Sequence, residues 1–328
     1  MKLVTYSTLV DHGKPRLGVL MGSVIVDLNL AARARLQATG MTGSAAEIAD
    51  ALLPADMLLF LKGGAMAMDE ARRAMDFAAR TDHGANGVAL TYSLNASCLH
   101  APLPRPNSIR DSISFEGHMR NFERRTGKPT PDIWNRRPIY YKGNPDTVVG
   151  PEADILWPSY TEKLDYELEF GAVVGRRGKN LSVAEAGDYI AGFTIFNDFS
   201  ARDVIPGEVS ASLGPAKGKD FDTGNAMGPW LVTADEIDAG NLLMQARING
   251  EIWSTGRSSD MRWTFAEMLA FISMDETLHP GDFIGSGTVE NGCGDEMDRW
   301  LQPGDVVELE VQGLGVLRNR VVRKGVSL

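Results

Sequence analysis

The stretch that most constrains this chain is EKLDYELEFGAVVG, residues 162–175. It alternates like a β-strand, in which successive side chains point to opposite faces. Asp165, Glu167 and Glu169 would share one face, and Tyr166, Leu168, Phe170 and Ala172 the other. A Glu-x-Glu pair on a strand is commonly a solvated face. The apolar flanks here speak for the alternative, a wall of carboxylates at the edge of a β-rich core.

The rest of the chain divides by pattern. KLVTYSTLVDHGKPRLGVLMGSVIVDL, from Lys2, reads as short strands joined by turns at Asp11–Lys14 and Gly22–Ser23. Helical stretches LAARARLQA, SAAEIADALL and MDEARRAMDFAAR follow. The Pro-containing HAPLPRPNS, residues 100–108, suits a domain boundary. Beyond it FTIFND, WLVTA, LLMQARING, DFIGSGTV and DVVELEVQ are strand candidates, with Pro-Gly-Asp reversals at 280–282 and 303–305. Residues 126–160 are rich in Pro, Gly and Asn and are expected to form a long ordered loop, a type that is more often a functional lid than a linker.

Bulk properties remove several functions. The 328 residues are 43% hydrophobic and 23% charged, enough to bury a proper core. A net charge of −10 argues against a nucleic-acid surface and against an acidic membrane. Two distant cysteines, Cys98 and Cys293, make neither a disulfide framework nor a zinc pattern, so a reducing, cytoplasmic setting is expected. No apolar run is long enough to span a bilayer, and the N-terminus lacks a signal peptide's apolar core. GPAKGKD is too short for a phosphate-binding loop, no Gly-x-Gly-x-x-Gly follows a strand, and no His-Glu-x-x-His is present.

Two further acidic pieces accompany the glutamate pair. TIFNDFSARD places Asp198 after an apolar strand with Arg202 four residues on, and IRDSISFEGH places Asp111 seven residues before His118. Carboxylates suit hard ions such as Mg²⁺, Mn²⁺ and Ca²⁺. A cluster of them needs a compensating cation, for which Arg202 and Lys219 are candidates. On a helix, Phe115, His118, Met119 and Phe122 share one face, so His118 reads either as a base or as a core histidine.

The stretches DYELEFGAVVG, GFTIFNDFSARD, GPAKGKDFDTGNAMGPW, INGEIWSTGRSSDM, LHPGDFIGSGT and LQPGDVVELEVQGLGVLRNRV occur in the order found in the fumarylacetoacetate hydrolase family. Residues 105–325 resemble that family, and the first hundred resemble the smaller domain of some members. The resemblance implies an α+β, mainly β fold: a mixed β-roll catalytic domain over 105–328 beside a smaller α+β domain over 1–104. It places metal ligands on Asp111, Glu167, Glu169 and Asp198, with Mg²⁺ expected and Mn²⁺ or Ca²⁺ as alternatives. It places substrate contacts on Arg202, Lys219, Tyr141 and Thr288, and a water-activating base on His118. Many members orient that histidine with a glutamate three residues later; here the position is Asn121, which leaves Glu116, through an irregular turn, or an incomplete pair. After the Gly-Thr of GSGT the family usually has Pro, and this chain has Val289.

The activity so implied is Mg²⁺-dependent hydrolysis of a C–C bond in a 1,3-diketo acid, in aromatic-compound catabolism, by a homodimer. Isomerisation, tautomerisation or decarboxylation of a 2-oxo acid at the same centre is the alternative, and Asn121 leans toward it. A non-enzymatic Ca²⁺-binding protein is the third reading. The loop 126–145 is expected to close over His118. His279 is expected in a turn, and His12, His83 and His100 carry no assigned role.

Overall fold

A computed structural model of the chain describes residues 1–9, 13–84 and 87–323. Its centre is the Glu169–Val174 strand, buried at every position. Both faces are covered, and this is why the run EFGAVV carries no polar residue after Glu169. Phe170, Ala172 and Val174 enter one core with Ile195, Leu309 and Val311, while Val173 enters a second core with Phe196, Phe283 and N-terminal side chains such as Leu28, Phe60 and Ala71. The predicted alternation therefore holds, and Tyr166, Leu168, Phe170 and Ala172 all lie in the first core.

Among the described residues one twelve-stranded mixed sheet runs through the molecule. Its path is Thr91–Ser93, Val24–Asp27, Arg16–Met21, Lys2–Thr8, Asn225–Thr233, Ile190–Asp198, Glu169–Val174, Asp282–Gly285, Ser108–Ser112 and Tyr140–Gly143. Ser97–Leu99 and Val148–Val149 pair beside that path. The N-terminal strands thus extend the sheet of the C-terminal part, with Leu3 opposite Leu231, and the hydrogen bonding crosses the composition boundary at 104. The helices Leu28–Ala38, Ala45–Leu52, Met57–Lys62 and Gly64–Ala78 contribute to the core on that side. The first starts at Asp27, whose carboxylate accepts the Leu30 N–H at 2.7 Å, a conventional N-cap.

The opposite face is closed by a five-stranded sheet of Glu251–Arg257, Leu243–Ile248, Val306–Val311, Gly315–Val322 and Asp154–Leu156. Its strands alternate, with Met244, Ala246 and Ile248 buried and the residues between them partly exposed, as one-sided sheets do. The helix Phe265–Ile272 begins in a capping box of Thr264 and Glu267 and sets Phe265 edge-on to Phe170 at 5.1 Å. The architecture is α+β and mainly sheet.

Two expectations change. Residues 126–160 are not one long loop: they hold the helix Asp132–Arg136 and the strands Tyr140–Gly143, Val148–Val149 and Asp154–Leu156. Trp134 fastens this segment, buried and donating from Nε1 to the Ile113 carbonyl at 2.7 Å. The turn at Asp11–Lys14 includes Asp11 and His12, which lie outside the described residues. The Pro-Gly-Asp reversals appear as predicted, with positive φ at Gly281 and Gly304, and His279 sits in the first of them, its N–H bonded to Asp282. Among the described residues no helix is long and apolar enough to cross a membrane.

Candidate active site and metal centre

Strand register assembles the site. Asp111, on Ser108–Ser112, lies opposite Tyr141 on one side and Gly285 on the other. Gly285 is required there, because a Cβ would lie 2.1 Å from Asp111 Oδ1. Glu169 opens its strand and Asp198 closes the neighbouring one, opposite Asn225. Glu167 falls in the unpaired link 166–168, where its N–H is held by Asn197 Oδ1 at 2.9 Å.

The result is a buried cluster of Asp111, Glu167, Glu169 and Asp198, each offering an oxygen within 4.8 Å of the others. Asp165, on the same predicted face, does not join it. It accepts from Arg202 Nε at 2.9 Å and from the N–H groups of Gly294 and Asp295. Lys219 Nζ lies 2.5 Å from both Glu167 Oε2 and Asp198 Oδ2. Arg202 Nη2 is 2.8 Å from Glu167 Oε1. Tyr141 donates to Asp198 Oδ2 at 2.6 Å, and the Thr288 hydroxyl to Glu169 Oε1 at 3.2 Å. The Gly287 N–H serves both Asp111 and Glu169, near 3.1 Å from the latter.

The electrostatics are uneven. Burial opposes ionisation of Glu167, but Lys219 and Arg202 outweigh it and hold the carboxyl down at about 2. Burial, reinforced by Asp198, pushes Asp111 up to about 8. Burial and Asp111 push Glu169 well above its ordinary value. Asp198 is pushed up to about 6 by burial, with Lys219 opposing. The Lys219 ammonium, which burial alone would discharge, is held charged by Asp198 and Glu167.

Asp198 Oδ1 is buried with no hydrogen-bond partner. An orphaned carboxylate oxygen beside two acids that burial drives to hold protons is what a divalent cation would correct. The all-oxygen donor set fits a hard ion.

His118 lies on the helix Glu116–Thr126, its side chain 19% exposed. Its Nδ1 is 2.8 Å from Glu296 Oε1. Glu116 does not serve it: that side chain is 56% exposed and faces Arg120. A regular helix turns residues 116 and 118 to different faces, and no irregular turn brings them together. Asn121, at the position where many family members carry a glutamate, donates to Glu296 Oε2 at 2.5 Å and to Asn291 Oδ1 at 3.0 Å. Glu296 comes from the short helix Gly294–Met297, between GSGT and LQPGD, where no motif marks it. Of the remaining histidines, His83 lies in an isolated bridge with Ala89, and His100 Nε2 is 2.8 Å from Ser7 Oγ.

Val289 explains its own departure from the family pattern. Its N–H donates to the Leu168 carbonyl at 3.3 Å, which proline could not do. That bond ties the Thr288 loop to the link carrying Glu167.

Comparison with known proteins places this geometry. The oxaloacetate tautomerase Fahd2a of Rattus norvegicus is 33% identical over 276 residues, 83% of this chain and 82% of that protein. The fumarylacetoacetate hydrolase of Exiguobacterium antarcticum superposes with a TM-score of 0.74 at 24% identity, covering 99% of this chain and all of that one. Maleylpyruvate hydrolase from Sphingobium sp. SYK-6, in complex with manganese(II) and pyruvate, gives 0.70 at 20% identity over 98% of this chain and 99% of that one. The model of the fumarylacetoacetate hydrolase C-terminal domain matches residues 108–322, and the chain belongs to that family of enzymes.

Proposed function

We propose that the protein is a divalent-metal-dependent keto–enol tautomerase of a short 2-oxo dicarboxylic acid, with oxaloacetate as its substrate. The observation that carries this reading is the His118–Glu296 pair at 2.8 Å, a proton-moving couple beside a buried carboxylate cluster. The choice of tautomerisation over the C–C hydrolysis expected from sequence is supported by the tautomerase relative that matches over 83% of the chain.

The roles follow from the contacts. A carboxylate at Nδ1 favours the tautomer with its proton there, leaving Nε2 as a base. His118 would take a proton from the carbon between the 2-oxo and distal carboxylate groups and, as imidazolium, pass it to the 2-oxo oxygen to complete the enol; the reverse sequence moves the enol O–H proton back to that carbon. Glu296 would stabilise the imidazolium formed in between, and Asn121 would keep Glu296 turned toward the ring. Asp111, Glu167, Glu169 and Asp198 would hold the ion, Mg²⁺ first and Mn²⁺ next, given the manganese in the neighbouring hydrolase. The ion would supply Lewis-acid polarisation of the 2-oxo carbonyl. Arg202 and Lys219 would bring positive charge to the substrate carboxylates, with Tyr141 and Thr288 donating hydroxyls at the rim of the cluster.

All of these residues lie in 105–328, which we assign as the catalytic domain, with 1–104 as its smaller companion. We further propose a homodimer through the β-rich part, as the family resemblance implies; a monomer by light scattering at micromolar concentration would contradict it.

The test is a substrate panel in Mg²⁺ buffer. Decay of the enol ultraviolet absorbance of oxaloacetate should accelerate with enzyme, without matching pyruvate release from acylpyruvates. Fast pyruvate release with no effect on the enol would return the assignment to hydrolysis.

A further inference from the structure

Beside the carboxylate cluster stands a second, chemically different group. His118, Cys293 and Glu296 each offer a ligand atom within 4.8 Å of the others. Nitrogen, sulfur and oxygen together suit zinc, whereas the all-oxygen cluster suits harder ions. The sequence hides this set, because 175 positions separate His118 from Cys293 (293 − 118) and no spacing motif links them.

We propose that His118 Nδ1, Cys293 Sγ and Glu296 Oε1 form an inhibitory zinc site, separate from the carboxylate cluster, that takes the base out of service when filled. Ordinary zinc bonds at tetrahedral angles would part the nitrogen and oxygen by about 3.3 Å, and the sulfur and oxygen by about 3.6 Å. The structure has them at 2.8 Å and 3.4 Å. The thiol and carboxylate are already nearly spaced for it, and the ring nitrogen would draw back from the carboxylate by about half an ångström.

The surroundings orient the ligands. Glu296 Oε2 is occupied by Asn121 Nδ2 at 2.5 Å and the Asn291 N–H at 3.0 Å, which turns Oε1 toward the histidine and the thiol. Outer partners of this kind strengthen metal sites. Cys293 is buried, while His118 is partly exposed. Burial holds the Cys293 thiol well above its ordinary pKa. A bound zinc removes that proton outright, so affinity rises with pH.

The test uses the whole chain with saturating Mg²⁺. Co²⁺, a zinc surrogate, should give a thiolate-to-cobalt charge-transfer band in the near ultraviolet, whichever reaction the centre catalyses. The band should persist in Cys98→Ser and vanish in Cys293→Ser or Cys293→Ala. With two cysteines in the chain, Cys98→Ser alone assigns the band even if the buried position tolerates no change. Zn²⁺ should inhibit the wild type, and the Cys293 variants, each measured against its own zinc-free rate, should need about tenfold more, the least that losing a partner of a metal site costs. Absence of the band in wild type, its loss in Cys98→Ser, or equal zinc sensitivity with and without Cys293 would overturn the proposal.

Discussion

At His118 the acid that matters is 178 positions away, while the one two positions away points to solvent. That single fact shows which parts of the site the sequence could display. Asp111, Glu167, Glu169 and Asp198 sit in stretches with their own pattern, so their grouping was legible through the family resemblance. Glu296 was not, because its segment has no periodicity and its partner is reached only through the fold. Glu296→Gln should lower kcat by about 10²-fold or more, within the range of general-base catalysis, whereas Glu116→Gln should leave turnover unchanged. Steady-state kinetics on the two variants check this, and equal losses would return the orienting role to Glu116.

Among the elements, the Glu169–Val174 strand was read correctly because alternation survives even where pairing lapses at 166–168. Tyr141 was placed in a loop and lies in a strand, since elements of two to four residues among prolines and glycines carry too little pattern to declare themselves. The strand pair beside it has no spare room. In Gly285→Ala the new Cβ would meet Asp111 Oδ1 at 2.1 Å, so Asp111 must leave its position. Mn²⁺ affinity by calorimetry should fall by about 10–100-fold, as when a metal site loses a supporting contact, with far-ultraviolet dichroism retained. Unchanged affinity would mean that Asp111 is not a ligand.

Over the whole molecule, the boundary at 104 was legible as a change of composition, but the sheet that crosses it was not. The pairing of Lys2–Thr8 with Asn225–Thr233 joins segments more than two hundred residues apart, and no local signal specifies such a partner. The buried cluster gives the whole fold a pH dependence. Asp111 and Asp198 have folded values raised to about 8 and about 6, so the stability they allow is full below the ordinary carboxylate range. It is lost as pH rises through those values. Glu167, lowered to about 2, works oppositely and only in strong acid. Between about pH 5 and pH 8 the metal-free protein should therefore lose stability at this site, while metal binding, which needs the carboxylates ionised, strengthens. The rise in Tm on adding Mg²⁺ or Mn²⁺ should be larger at about pH 8 than at about pH 5. At a hundredfold excess over Kd the stabilisation is about 2.7 kcal/mol. A shift independent of pH would argue against ligation by these acids.

The role proposed for His118 is to move the proton in a tautomerisation beside the carboxylate cluster. Its most direct measurement is the metal-loaded rate of enol-oxaloacetate decay for His118→Ala beside the wild type, with Mn²⁺ affinity and Tm taken on the same samples. Turnover should fall by about 10²–10⁴-fold with metal binding and folding retained. Full turnover with a lowered Tm would contradict it and leave His118 as a core histidine.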